Sequence, residues 1–201
     1  NMYNVGVGFN AGQQITTGTH NTLVGGLAGD ALTTGAFNTA FGYAALSTED
    51  TANNNTAFGY AALTTLNGGT QNVAVGQSAA AAMTTGNQNT IIGTNAGDAL
   101  TDADLNVAVG YAALSSDTLG GLSTAIGYQA LKTQNFTTAT STYNTAVGYN
   151  AGVLVTTGVQ NVFIGGLAGD AITDADDNTA VGVGALTTDT LGSKSTAIGR
   201  S

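Results

Sequence analysis

The sequence predicts an all-β fold, a parallel β-solenoid built from 17-residue coils. The first observation is a glycine that follows an apolar pair. It recurs at Gly8, Gly25, Gly42, Gly59, Gly76, Gly93, Gly110, Gly127, Gly148, Gly165, Gly182 and Gly199. Each step is 17 residues, except one of 21 between Gly127 and Gly148. The second observation is constancy within the unit. With the glycine at position 5, position 1 is Asn in ten units and Ser in two (Ser123, Ser195). Position 2 is always Thr or Val, position 4 always Val, Ile or Phe, and position 8 is Ala in all eleven full units. The third observation is length. Seventeen residues hold two short strands and two turns, but not a helix hairpin.

Positions 2 to 4 read as a strand, because β-branched residues suit a pleated backbone. The glycine ends it. Eleven full coils and a truncated twelfth, stacked about 4.8 Å apart, give a rod roughly 55 Å long. Residues 1–201 form a single array, expected to be a fragment of a longer fibre.

Larger side chains follow a rule. Some units carry Leu at position 9 (Leu46, Leu63, Leu114, Leu131, Leu186). Others carry Gly there and an aliphatic residue at position 12 (Ile15, Leu32, Leu100, Val155, Ile172). A thin, Ala-lined interior with room for about one bulky side chain per layer predicts this. A superperiod of four units runs over the array: "TTG" closes units 1, 5 and 9, and "GDAL" or "GDAI" marks units 2, 6 and 10. Unit 8 is the long one, with its four extra residues between Lys132 and Tyr143.

Composition narrows function. Charged residues are 7% of the chain and the net charge is −9, with only Lys132, Lys194 and Arg200 as cations. Binding a phosphate backbone needs clustered Lys and Arg, so nucleic acid is discarded. With no Cys there is no disulfide frame and no thiolate metal site. No apolar run has the length of a membrane span, so no membrane insertion is expected.

Catalytic chemistry finds little support. His20 is the sole histidine and falls in a unit-closing turn; Ser/His/Asp catalysis needs a base held between a nucleophile and an orienting acid. Asp98, Asp102 and Asp104 in unit 6, and Asp170, Asp174, Asp176 and Asp177 in unit 10, lack the pattern of a calcium loop and read as solvated turns. Gly6–Gly8 and Gly182–Gly184 belong to the coil and not to a dinucleotide loop. The chain is therefore expected to be non-enzymatic, with no cofactor and no metal. Position 6 is aromatic in half the units. Tyr43 with Tyr60, and Tyr111 with Tyr128 and Tyr149, are expected to stack as ladders.

Alternation along the strand sends position 3, usually Ala, to one face and positions 2 and 4 to the other. With Ala inside, position 4 forms an outward apolar ridge. It comprises Val7, Val24, Phe41, Phe58, Val75, Ile92, Val109, Ile126, Val147, Ile164, Val181 and Ile198, the expected subunit interface.

"NTAVGYNAG" and "STAIGYQAL" resemble the head repeats of trimeric autotransporter adhesins, and "NTAFGYAAL" is similar to arrays in phage tail-fibre proteins. The resemblance implies a left-handed β-roll with three chains about one axis, that is, a homotrimer. It also implies an extracellular structural role in attachment, on a virion tail fibre or a bacterial surface, to a host glycan or protein receptor. The coils here are longer than those usual in the adhesin heads. The alternative from another class is an ice-binding β-solenoid. It wants a regular Thr-x-Thr array, which Val at position 2 in units 1, 5, 7 and 10 interrupts.

Overall fold

A computed structural model describes residues 2–48 and 50–200. Twelve strands of three residues each, from Val5–Val7 to Thr196–Ile198, form one parallel sheet. Every strand pairs with the next in perfect register: position 2 lies on position 2, 3 on 3 and 4 on 4, as in Val107↔Thr124, Ala108↔Ala125 and Val109↔Ile126. The register holds across the long coil, where Thr124–Ile126 pairs Thr145–Val147. The fold is a parallel β-solenoid of 17-residue coils, as expected. No helix among the described residues is long and apolar enough to cross a membrane.

The coil is simpler than two strands and two turns. Each unit contributes one strand to the main sheet, and turns and bends make up most of the rest. A second pairing, Gly120–Gly121 with Thr140–Ser141, arises only where the long coil stacks on its neighbour. The turns need left-handed backbone at positions 7, 9 and 17. Tyr43's coil illustrates it, with Ala44 at φ 54° and Leu46 at φ 56°, and Asn54 at φ 62° closes the unit. Non-glycine residues in that region cost on the order of 1 kcal/mol each. The cost is offset by hydrogen bonds that each turn gives to the next coil, such as Leu46 N–H to Ala62 O at 3.1 Å.

The position 5 glycine has a separate reason. Gly110 sits at φ 137°, and a Cβ there would lie 2.3 Å from the carbonyl oxygen of Gly127 in the next coil. At Gly199, with no coil stacked beyond it, nothing lies within 4 Å. The invariance of this column is therefore a stacking requirement.

Inside, the Ala columns at positions 3 and 8 are fully buried, for example Ala40, Ala57, Ala45 and Ala62. The plugs at positions 9 and 12 join them. One larger side chain per coil proves too strict. Coils 2, 6 and 10 add a third source at position 3: Leu23, Ile91 and Phe163, each buried alongside Leu32, Leu100 and Ile172. Gly at position 9 makes the room. A Cβ on Gly169 would come within 2.4 Å of the Phe163 ring.

Candidate functional site: the outward face of the sheet

Position 4 points outward in all twelve coils. Val7, Phe41, Phe58, Ile92, Ile126, Ile164 and Ile198 are exposed; Val24, Val75, Val109, Val147 and Val181 are half-buried. None is in the core. Position 2, Thr or Val, shares this face. Phe41 and Phe58 stack at 4.8 Å between ring centroids while remaining about half exposed (46% and 49%).

The flanks extend the face. At position 6, Tyr43 stacks on Tyr60 at 5.7 Å, and Tyr111, Tyr128 and Tyr149 form a continuous column at 5.3 Å. These ladders match expectation. An unexpected one lies at position 17, where His20 is sandwiched between Tyr3 (5.1 Å) and Phe37 (4.9 Å). The turn placement of His20 and its exposure agree with the sequence reading; the stack was hidden because Tyr3 and Phe37 close different units.

Charge is segregated by position. All twelve acids, from Asp30 to Asp189, fall at positions 10 to 17 of their coils. Positions 2 to 9 carry no charge in any of the eleven full coils; Arg200 in coil 12 is the exception on this side. The strand face is thus uncharged, with an apolar ridge along position 4, on a protein of net charge −9. The three-residue strands, about 10 Å long, stacked over roughly 55 Å give a face of about 550 Å². Exposed apolar patches on monomers rarely exceed a few hundred Å².

The Asn column at position 1 is structural. It is buried and forms an amide ladder. Asn38 N–H donates to Asn21 Oδ1 at 2.9 Å, and Asn55 N–H to Asn38 Oδ1 at 2.9 Å. The Nδ2 groups from Asn4 to Asn161 also tie their own coils shut, as Asn55 does to Gly69 O at 2.9 Å; Asn178 Nδ2 is buried without a partner. Ser123 is too short to continue the ladder. The long coil repairs the gap with a buried polar cluster that sequence reading missed. Gln134 Nε2 donates to Asp117 Oδ2 (2.6 Å) and to Ser123 Oγ (2.8 Å), and Asn144 Nδ2 donates to Gln134 Oε1 (2.8 Å). Asp117 Oδ1 accepts the N–H groups of Gly120 and Phe136, both at 3.0 Å. Asp117 and Gln134 occupy position 12, where most coils carry an aliphatic plug, so a polar residue at a core position was the available signal.

The acids assigned to turns divide in two. Asp102 and Asp104 are exposed and serve as acceptors, Asp102 from Thr85 Oγ1 (2.6 Å) and Asp104 from Asn87 N–H (2.6 Å). Asp98 and Asp170 each keep one buried carboxylate oxygen without a hydrogen bond. Burial pushes both carboxyls above their ordinary value. The residue's own backbone N–H offsets part of this without an aligned hydrogen bond. Among the described residues, no three Asp, Glu or His gather as a metal site. In comparisons with known proteins, the chain matches no family model, no curated protein and no solved structure.

Proposed function

We propose that this chain is a rigid, non-enzymatic fibre segment for attachment, whose copies associate through the outward face of the sheet. The observation that carries this reading is the unbroken position 4 ridge on an uncharged face, with every acid on the other side of the coil. A second copy meets that face without like-charge repulsion. The strand face offers about 550 Å², and the tyrosine columns at position 6 widen it toward the roughly 800 Å² per partner of a stable protein interface. Three chains about one axis, the arrangement implied by the adhesin and tail-fibre resemblance, would bury the ridges against each other. The attachment role rests on the same resemblance, and the extracellular location goes with it.

Sedimentation of the purified chain tests the assembly. The expected mass is three times 19.7 kDa. Val109→Asp places carboxylates against each other in an apolar contact, where unpaired charge is very costly. It should yield monomers or aggregate. Thr157→Asp, at an exposed turn on the acidic side, should leave the mass unchanged. A monomeric wild-type chain, or an unaltered mass and melting temperature for Val109→Asp, would remove the ridge as the interface.

A further inference from the structure

The long coil also shapes the side wall. A cavity of about 250 Å³ opens where coils 6, 7 and 8 meet, lined by Asp102, Asp104, Leu119, Leu122, Thr140 and Ser141. Coil 8 supplies a wall through its extra residues, held by the Gly120–Gly121 and Thr140–Ser141 pairing. Gly121 allows the floor to lie close, since a Cβ there would come within 2.9 Å of the Asp104 carbonyl oxygen. Cavities also lie at the first and last coils, against residues such as Ile15 and Ile198; this one is walled by three stacked coils.

We propose that this groove binds a primary alkylammonium group, the lysine side chain of a partner protein. The lining suits that chemistry. Leu119 and Leu122 offer an aliphatic surface for a methylene stem, and Asp102 and Asp104 line the same groove. Only the Oδ1 of each carboxylate takes one of the bonds from Thr85 and Asn87 described above, so each Oδ2 is available to an ammonium. A hard divalent cation wants six or more oxygen ligands, and among the described residues no third acid or histidine joins the pair. A sugar ring would want an aromatic platform, and no aromatic residue lines the groove.

The array contains its own comparison. Four coils on, Asp174 and Asp176 repeat Asp102 and Asp104, and Leu191 repeats Leu119. There Ser193 replaces Gly121 on the floor, and Lys194 stands in the column of Leu122. Lys194 meets that site through its backbone, N–H to Asp176 O at 3.0 Å. The first site carries a leucine in that column over a glycine floor, and the groove is open there. The groove uses the turn side of coils 6 and 7 with the added wall of coil 8, and not the position 4 ridge.

The test is titration of acetyl-Gly-Lys-Gly-amide into the intact protein, followed by methyl NMR. Saturable shifts are expected at Leu119 and Leu122, and none with the same peptide acetylated on its lysine. Asp102→Asn combined with Asp104→Asn should weaken binding at least tenfold while leaving the sedimented mass unchanged. Asp174→Asn with Asp176→Asn should leave binding unaltered. Absence of saturable binding to the wild-type protein would overturn the proposal. So would equal binding of the acetylated peptide, or equal losses in both double variants, which would mean general acidity alone. Tighter binding of a chitosan trisaccharide than of the peptide would reassign the groove to an amino sugar and overturn the lysine assignment.

Discussion

The two sides of one coil obey different rules. Positions 1 to 5 and position 8 are nearly invariant in type: an Asn or Ser, a three-residue strand, the glycine, then the Ala. Positions 10 to 17 vary from coil to coil, hold all twelve acids, and absorb the four-residue insertion. The difference comes from what each side must satisfy. The sheet side stacks backbone on backbone in fixed register, and any added atom meets the next coil. On the turn side many side chains meet water, and cross-coil hydrogen bonds such as Thr84 Oγ1 to Thr101 O at 3.2 Å are exposed and individually weak.

The sharpest way to break this contrast is a methyl group on each side. Gly110→Ala puts a Cβ 2.3 Å from the Gly127 oxygen, at a φ of 137° that L-residues avoid. Both coils must shift, and the loss of stability should be on the order of 4 kcal/mol or more. Gly68 lies in an exposed turn at φ 99° with nothing within 4 Å of a built Cβ. Gly68→Ala should cost only about 1 kcal/mol, from backbone strain alone. Thermal or urea unfolding of the two variants measures the difference. Equal costs would mean that the glycine column does not set the stacking distance.

A smaller effect separates the two kinds of ladder. Asn72 Nδ2 donates to Gly86 O at 2.8 Å, and its Oδ1 accepts Asn89 N–H at 3.0 Å, all buried. Asn72→Ala strands a buried donor and a buried acceptor, which cost about 1–3 kcal/mol each, so a loss of about 3 kcal/mol is expected. Thr84→Ala removes only an exposed hydroxyl bond and should change stability by less than about 1 kcal/mol. If the two variants melt together, the amide column is not what closes the coils.

Much of this was legible in the sequence, because a repeat states each constraint many times over. The period, the register, the inward Ala at position 3, the outward ridge from Val7 to Ile198 and the tyrosine columns all follow from column identity and strand alternation. What escaped lies where one unit must be read against another. The stack of Tyr3, His20 and Phe37 links residues that close successive units. Leu23, Ile91 and Phe163 at position 3 make sense only with the paired glycine at position 9. The cluster of Asp117, Gln134 and Ser123 exists because a serine interrupts the amide ladder in that coil, and the repair comes from the position 12 residue of the same coil together with the position 12 aspartate of the coil before. The second strand expected per coil failed because the turns bend through left-handed residues at positions 7, 9 and 17; outside positions 2 to 4 only the two-residue pair Gly120–Gly121 and Thr140–Ser141 forms a ladder among the described residues.

The mildest difference concerns acids on the variable side that are not fully solvated. Asp98 and Asp170 follow the position 9 glycine, and each keeps a carboxylate oxygen buried without a partner. Burial raises their pKa in the folded chain above the ordinary 3.8. A raised folded value means that the unfolded chain holds the charge more easily. These two groups therefore weaken the fold at neutral pH, where they are ionised in both states. The penalty is relieved as pH falls through the folded pKa, and it is gone below the ordinary value. Exposed Asp102 lacks this burial and serves as the reference within the same coil. Asp98→Asn removes the buried charge, so its melting temperature should lie slightly above that of the wild-type protein at pH 7 and converge with it near pH 3. Asp102→Asn, which removes an exposed carboxylate that accepts the Thr85 hydroxyl, is the surface control. Melting curves of both variants between pH 3 and 7 measure this. A gap for Asp98→Asn that widens toward acid pH would have the wrong sign for a desolvated carboxylate, and would mean that the unpartnered oxygen finds a favourable interaction in the folded chain.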